Sequence, residues 1–244
     1  MPTCSVSWST VPWVTDVELS EVMRTTGAIR DFTDAVVANA TIFEILDDAR
    51  FAPSGSNRQG WHVVVVTDRA VRRQLAELMV PVWSEYTAQV RLGETAFSAV
   101  EPTSADLDAA RAERQPNPLL DEIESVPVVL VVAVDLRKLA VIDKDTGRPS
   151  IVGGASIYPF CHNILLAARA RGLGGVLTTL ITRVEAEARP VLGLPDTHAL
   201  AGMLFLGVPV HQPTRLGRRP VAEFATIDRF DGPPLTAPQA GGSG

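Results

Sequence analysis

Four apolar segments of strand length alternate with segments of helical periodicity along this chain of 244 residues. The segments "WHVVVVT", "VPVVLVVAVDL", "GGVLTTL" and "ALAGMLFLGVPV" are short, and turn-forming or charged residues flank them. This pattern is typical of buried strands, and we predict that the first of them is buried on both faces. Because helices must cover both faces of such a sheet, the sequence predicts a three-layer α/β or α+β domain.

The helices between these strands are predicted from their capping residues and their periodicity. A short helix is expected over residues 16–24, and a long one from Ala155 to about Arg171, with Gly172 as its left-handed stop. The other helices are predicted to begin at side chains that can cap free backbone N–H groups: Thr41 with Glu44, Asp68, and Thr182 with Glu185.

Two segments lack the strong apolar face of a core element. Residues 93–120 are rich in Ala, Asp, Glu and Pro, and we predict a mobile, lid-like excursion there. Residues 209–232 are punctuated by proline, basic in the middle and strand-like at 223–230. We predict that this arm lies across its own domain or a neighbouring subunit. A single domain is expected to span residues 1–235, followed by a disordered tail at 236–244.

The composition argues against several functional classes. A net charge of −6 disfavours nucleic acid as the main partner. No run of 18 apolar residues is present to cross a membrane, and two cysteines fit a reducing compartment, so we expect a cytoplasmic protein. The four histidines have no metal-ligand spacing, and we predict no metal site.

Two familiar catalytic or cofactor motifs are also disfavoured. The glycines of "RGLGGVL" follow a helix and precede a strand, which reverses the order of a Rossmann dinucleotide-binding loop. The serines at positions 54 and 56 do not lie in a G-x-S-x-G elbow, so acyl-transfer chemistry has no support.

Three polar segments make chemical sense together. "RTTGAIR" supplies Arg24 and Arg30 beside hydroxyl groups, and "LGRRP" supplies Arg218 and Arg219. "PSGSNRQGW" supplies small hydrogen-bonding groups at the edge of a strand. Guanidinium groups suit a phosphate, and hydroxyl and amide groups suit a polyol or a heteroaromatic ring. Jointly the three segments predict a phosphorylated, ring-bearing cofactor.

At these segments the chain resembles the FMN-dependent nitroreductases, a family of dimeric flavin oxidoreductases. "ARFAPSGSNRQGWHVVVV" is similar to their "PSSxNxQPW" loop and first core strand, and "LGRRP" falls at their C-terminal phosphate motif. "ASIYPFCHNILLAARARGLGGVLTTL" resembles their central helix and flavin-facing strand. The resemblance implies an α+β fold with a mainly antiparallel central sheet, helices on both faces, and a C-terminal arm exchanged across a homodimer.

The chain departs from the family pattern at three places. Thr26, Gly27 and Ala28 precede Arg30 where the family usually has "RxSxR". Gly60 replaces the usual proline before the tryptophan, and Leu216 stands where a basic residue is frequent. Binding of the phosphate is therefore expected to depend on Arg30, Arg218 and either Arg24 or Arg219.

The resemblance implies FMN in a cleft at the dimer interface. The loop from Pro53 would reach the flavin across that interface, the backbone of Thr178 or Thr179 would donate to the N5 edge, and Arg30 would lie near the phosphate or the N1–C2 edge. The residues assigned to the cofactor are Arg24, Thr26, Arg30, Pro53, Ser54, Gly55, Asn57, Gln59, Ser156, Leu177, Thr178, Thr179, Leu180, Arg218 and Arg219.

The implied activity is transfer of hydride from NADH or NADPH through flavin N5 to a nitroaromatic, quinone or similar small-molecule acceptor, by a ping-pong mechanism. No protein side chain is assigned a catalytic role, because the flavin carries the chemistry. Two alternatives remain open: a non-catalytic FMN-binding protein, and a family relative with a different flavin-dependent reaction.

Overall fold

The computed structural model describes residues 18–237, so residues 1–17 and most of the predicted tail, 238–244, lie outside the described residues. Four strands form one sheet in the order β1-β2-β4-β3, and each neighbouring pair is antiparallel. The strands are β1 (Trp61–Val65), β2 (Val128–Asp135), β3 (Gly174–Thr178) and β4 (His198–Gly207). The helices are α1 (Leu19–Thr25), α2 (Asn39–Ala49), α3 (Arg69–Arg91), α4 (Leu107–Ala112), α5 (Pro118–Asp121), α6 (Tyr158–Ala170) and α7 (Glu185–Leu192).

The sheet lies between two helical layers because its central strands bury both faces. Even-numbered residues of β2 from Val128 to Val134 pack with α2 and α6. Odd-numbered residues from Val129 to Ala133 pack with α3, α5 and α7. Successive side chains of a strand point to opposite faces, so one strand supplies both cores. The prediction of an α+β fold with a mainly antiparallel sheet and helices on both faces is confirmed.

Strand β1 differs from its prediction. It lies at one edge of the sheet and pairs only with β2 among the described residues. Its side chains are half-buried or exposed, and Val65 is 38% exposed. The prediction of a strand buried on both faces is wrong, because burial depends on the strand's neighbours and not on its own hydrophobicity.

The helix starts confirm one capping prediction and correct two others. Asp68 caps α3, since its Oδ1 accepts from the N–H groups of Ala70 and Val71 at 2.7 and 3.1 Å. Helix α2 begins at Asn39, two residues before Thr41, and no side chain caps it. Thr182 lies inside a short 3₁₀ turn, Leu180–Val184, and its hydroxyl donates to the Thr179 carbonyl at 2.8 Å.

The long helix predicted from Ala155 is divided. A 3₁₀ turn covers Val152–Ser156, and α6 then begins at Tyr158. Gly172 follows its end with φ of +76°, which confirms the predicted left-handed stop. Ile164 in the middle of α6 is completely buried, so this helix is fixed against the sheet along its length.

The two segments outside the core have local structure of their own. Residues 93–120 form α4 and α5 and pack against α3, where Arg114 pairs with Glu77 at 3.2 Å. The arm contains a 3₁₀ turn, Val221–Glu223, and an isolated bridge between Thr226 and Pro234. The predicted strand at 223–230 is therefore absent from the described arm.

Candidate functional site

The loop after α2 has an unusual backbone that its side chains stabilise. Ser56, Asn57 and Gln59 have positive φ values of 54°, 52° and 48°. Ser54 Oγ accepts from the Gln59 N–H at 2.9 Å, and Gln59 Nε2 donates to Asn57 Oδ1 at 3.0 Å. A left-handed backbone conformation at a residue other than glycine costs free energy. Such residues are common where a loop is shaped for a ligand.

Ser156 joins this loop from a distant part of the chain. Its Oγ accepts a hydrogen bond from the Gly55 N–H at 3.0 Å, although the two residues are 101 positions apart. Trp61 then stacks on Phe160 of α6, with ring centroids 4.7 Å apart and an angle of 2° between the planes. The loop 53–59 is thus joined to the beginning of α6.

A buried carboxylate supports Ser156 from the loop before α6. Asp143 is 4% exposed and accepts from the Ile151 N–H at 2.9 Å and from the Ser150 hydroxyl at 2.7 Å. These bonds, with Arg148 at 2.9 Å, hold the pKa of the Asp143 carboxyl well below its usual range. No sequence pattern signals Asp143, because only the folded loop brings its backbone and side-chain partners together.

A second group of predicted residues lies at the other end of α6. Arg169 Nε donates to Thr25 Oγ1 at 3.0 Å, and Gln212 Nε2 from the arm donates to the Thr25 carbonyl at 2.9 Å. The Thr26 hydroxyl donates to the Val22 carbonyl at 2.6 Å. The arm is thereby attached to the end of α1.

An open cleft of about 1060 Å³ lies between α1 and the arm. Three arginines line it: Arg24, Arg215 and Arg218. Its other lining residues within the described chain are Leu19, Ser20, Met23, Thr214, Leu216 and Phe224, and none of them is acidic. Such a cleft attracts an anion, because no carboxylate in the lining neutralises the guanidinium groups.

Arg215 was missed in the sequence analysis, and the predicted Arg30 and Arg219 lie elsewhere. Arg215 directly precedes the "LGRRP" motif. Its signal in the sequence is that residues 215–219 of the arm contain three arginines. Arg219 is exposed and is not part of the cleft lining. Arg30 lines a separate cleft with Asp31 and Asp34.

The backbone explains the position of Arg30. Ala28 bridges Gly175 of β3, and the Ile29 N–H donates to the Gly175 carbonyl at 2.9 Å, so this stretch is locally extended. Ile29 is 6% exposed and packs where a Cβ on Gly174 would be 2.7 Å from its Cγ1. Neighbouring side chains of an extended segment point in opposite directions, so Arg30 turns away from that packing.

The end of β3 supplies the third group, Leu177–Leu180. Thr178 carries a buried Oγ1 that makes no hydrogen bond within the described structure. The Tyr158 hydroxyl at the start of α6 donates to the Ala201 carbonyl at 3.3 Å, and Gly202 beside it lies against the Thr178 carbonyl. Thr178 is therefore close to the beginning of α6.

The predicted site residues consequently divide along α6. The loop 53–59, Ser156 and the end of β3 lie towards its beginning, whereas Thr25, Thr26 and the arginine cleft lie at its end. The helix has 13 residues and is about 20 Å long. One chain by itself therefore separates the polar loop from the arginines that would bind the same cofactor.

The residues present suit a phosphorylated, polar cofactor. Besides Thr178 Oγ1, the buried Gln212 Oε1 has no hydrogen-bond partner in the described structure. Buried polar atoms normally have partners, so both atoms suit the hydroxyl or N–H groups of a ligand.

Within residues 18–237, no group of three or more His, Cys, Asp or Glu residues could hold a metal ion. No helix in that range is long and apolar enough to cross a membrane.

Comparison with known proteins decides the family. The Nitroreductase family matches residues 23–208, which include the four strands and the polar segments "RTTGAIR" and "PSGSNRQGW". The chain belongs to the nitroreductase family. It is therefore a flavin-dependent NAD(P)H oxidoreductase, and the predictions of family and enzyme class are confirmed.

Individual relatives resemble this nitroreductase-family chain over most of its length. An NADH dehydrogenase from Thermus thermophilus is 30% identical over 190 residues, 76% of this chain and 83% of that protein. Nitroreductase NfnB from Mycolicibacterium smegmatis is 27% identical over 212 residues, 82% of this chain and 88% of that protein. The structure of NADPH:FMN oxidoreductase from Vibrio harveyi complexed with NAD⁺ has a TM-score of 0.60 at 23% identity, covering 87% of this chain and 77% of that one. It has the same fold.

Proposed function

We propose that this chain binds FMN, takes hydride from NADH or NADPH and reduces a small-molecule acceptor such as a nitroaromatic compound or a quinone. The observation that supports the proposal is the cleft between α1 and the arm, whose lining includes three arginines and no carboxylate and so suits a phosphate. When bound, FMN supplies the redox chemistry, accepting two electrons as hydride and releasing them to the acceptor in a ping-pong sequence.

The arginines are proposed to bind the FMN phosphate. Arg24 is held by the Ser20 hydroxyl, to which its Nε donates at 3.2 Å. Arg218 donates to the Gly217 carbonyl at 2.7 Å, which leaves the other N–H groups of its guanidinium available. Arg215 adds a third charge to the same lining. A phosphate carries up to two negative charges, so this set can neutralise it completely.

The polar loop and the end of β3 are proposed to bind the ring system. Pro53, Ser54, Gly55, Asn57 and Gln59 present small polar groups on a rigid loop, and Ser156 fixes that loop to α6. The backbone of Leu177–Leu180 is proposed to face the N5 edge. Arg30 and Arg219 stay sequence-based predictions for the cofactor, because neither lines the arginine cleft.

A homodimer is proposed to complete the site. The loop and the arginine cleft lie at opposite ends of α6 within one chain, and a second copy would bring its loop to the first copy's cleft. Apolar side chains suited to an interface are exposed on α2, just before the polar loop and on the arm: Phe43 and Phe51 are 71% and 72% exposed, and Phe224 on the arm is 61% exposed. The outer edge of strand β1, which pairs with no other strand of residues 18–237, offers a further surface.

The experiment that tests the function is a flavin titration followed by anaerobic reduction. We expect the purified protein to bind one FMN per subunit, to lose its yellow colour within seconds with NADH or NADPH, and to recover it with menadione. A protein that gains no flavin absorbance with excess FMN would contradict the cofactor. Stable FMN binding without reduction by either nicotinamide would contradict the NAD(P)H oxidoreductase reaction. The cytoplasmic location stays a prediction.

A further inference from the structure

A buried carboxylate connects three elements on the face of the sheet that α3 covers. Glu85 of α3 is 1% exposed. Arg111 of α4 donates from its Nε to Glu85 Oε1. Arg183, from the 3₁₀ turn after β3, places Nη2 3.4 Å from Glu85 Oε2, an ion-pair distance, although Oε2 has no hydrogen-bond partner within the described structure. A buried carboxylate is unfavourable unless its charge is paired, so Glu85 requires the charges of these two half-exposed arginines.

The excursion 93–120 contacts the same arginine a second time. The guanidinium carbon of Arg183 lies 4.6 Å from the ring centroid of Phe97, a cation–π geometry. Phe97 has a positive φ of 55°, and its N–H donates to Oε1 of the buried Gln89 at 2.9 Å. Because Gln89 belongs to α3, this bond attaches the backbone of Phe97 to that helix.

Arg183 in turn belongs to the turn that follows the flavin-facing strand. In this turn both the N–H and the hydroxyl of Thr182 donate to the Thr179 carbonyl, at 3.0 and 2.8 Å. Ile181 is completely buried on the core side. The turn is therefore fixed by Ile181 in the core and by Arg183 on the outside, and the orientation of the Thr179 peptide depends on both.

We propose that Glu85 is a positioning residue for the flavin edge. Through Arg183 it holds the turn 180–184 and the adjoining backbone of Thr178 and Thr179, and through Arg111 it ties the excursion to the same point. The excursion and the flavin-facing turn therefore move as one unit. The inference rests on the proposed function in one respect only, the placement of Leu177–Leu180 at the flavin ring.

The test compares three variants of the full-length protein by amide hydrogen exchange. Glu85→Gln keeps the shape of the side chain but removes the charge that Arg183 and Arg111 share. Arg183→Gln removes the partner from the half-exposed side, and is included because Glu85→Gln could fail to fold. The matched control is Arg114→Gln, which lies in the same excursion and pairs with Glu77 and Asp121 but does not contact the turn.

We expect amides 180–184 to exchange roughly 10-fold faster in Glu85→Gln and Arg183→Gln than in the parent, the effect of losing one charge-assisted contact. Arg114→Gln should match the parent in this turn, and Arg183→Lys should restore part of the protection. Unchanged exchange in both test variants, with the fold intact by circular dichroism, would overturn the proposal.

Flavin affinity separates this inference from the proposed function. The dissociation constant for FMN, measured by quenching of flavin fluorescence, should rise roughly 10-fold in Glu85→Gln and Arg183→Gln and stay within about twofold in Arg114→Gln. A loosened turn with unchanged FMN affinity would overturn the positioning role. If the parent itself binds no FMN, the proposed function fails, while the exchange data still decide whether Glu85 holds the turn.

Discussion

Individual arginines of the cleft between α1 and the arm give the most direct test of the cofactor. Replacing Arg218 or Arg215 with Ala should weaken FMN binding about 10- to 100-fold, because each change removes a charge-assisted contact of roughly 1.5–3 kcal/mol. The measurement is a fluorescence titration with FMN. Arg229→Ala is the matched control, since this arm arginine pairs with Asp231 at 2.9 Å and lies outside the cleft lining. Equal affinities in all variants would remove both arginines from the site.

The same titration decides the sequence-based assignment of Arg30. The structure places this side chain in a second cleft beside two aspartates, away from the three arginines. Weaker FMN binding by Arg30→Ala would show that Arg30 is a ligand and that FMN contacts it in the assembled homodimer. Affinity equal to that of the parent would show that the cleft arginines suffice.

Asp143 makes a prediction about acid stability. Its backbone and hydroxyl partners lower the pKa of the folded carboxyl below the ordinary value of 3.8, so the unfolded state binds a proton more readily. The stabilisation is fully present above about pH 4 and is lost as the pH falls below that value. We therefore expect Asp143→Asn to be less stable than the parent at pH 7, with a difference that shrinks below pH 4. Urea unfolding across this range tests it, with the exposed Asp145→Asn as the control. A difference that is constant with pH would contradict the assigned role.

At the scale of elements, α6 is the helix beside which both halves of the proposed site lie. Ile164 in its middle is 0% exposed, so Ile164→Ala should lower the free energy of unfolding by about 2–5 kcal/mol through lost burial and a cavity. Val36→Ala is the control, because Val36 is 94% exposed and should change stability by less than about 0.5 kcal/mol. Chemical denaturation, analysed with a common m-value, measures the change in the free energy of unfolding for both variants. A small effect at Ile164 would mean that α6 is less firmly packed than the structure indicates.

The elements also show what the sequence could and could not predict. The apolar runs of β2 and β4 predict strands because central strands are buried on both faces, and Asp68 predicts a helix start because its cap is local. The exposure of β1 depends on which strands pair with it, and the early start of α2 at Asn39 has no capping side chain to signal it. Local sequence patterns therefore predict the helices and strands, whereas the burial of their side chains depends on which elements pack beside them.

The candidate site likewise combines features that the sequence predicts with features that depend on contacts between distant residues. Ser156 and the loop 53–59 were grouped through the resemblance to a family, and the bond between Ser156 and Gly55 joins them. Arg24 and Arg30 belong to one polar segment of the sequence, and the resemblance places Arg30 near the phosphate or the N1–C2 edge of the flavin. Their separation results from the pairing of Ala28 with Gly175, a contact between residues that lie far apart in the chain. A short motif cannot show on which side of a later strand its residues will lie.

For the whole molecule, we expect a homodimer that does not dissociate at low micromolar concentration. Sedimentation should give twice the chain mass of 26.2 kDa. Placing a charge on an exposed apolar side chain outside the arginine cleft, as in Phe43→Asp, should shift the protein towards monomer and weaken FMN binding together, because the site is proposed to need both copies. Val100→Asp is the control, since Val100 is 81% exposed and lies in the excursion 93–120. A folded monomer that still binds FMN as tightly as the parent would contradict the shared site.

The kinetics of the assembled enzyme provide the last prediction. If the nicotinamide and the acceptor use one exposed face of the cofactor in turn, they cannot bind productively together, and double-reciprocal plots should be parallel. The side chains proposed for the site are hydroxyl, amide and guanidinium groups, and none of these changes charge between pH 6 and 8. The rate of reduction by NADH or NADPH, measured anaerobically by stopped flow, should therefore vary little across that range. Intersecting plots would show that both substrates bind at once. A titration near pH 6.5 would show that a histidine outside the proposed set takes part.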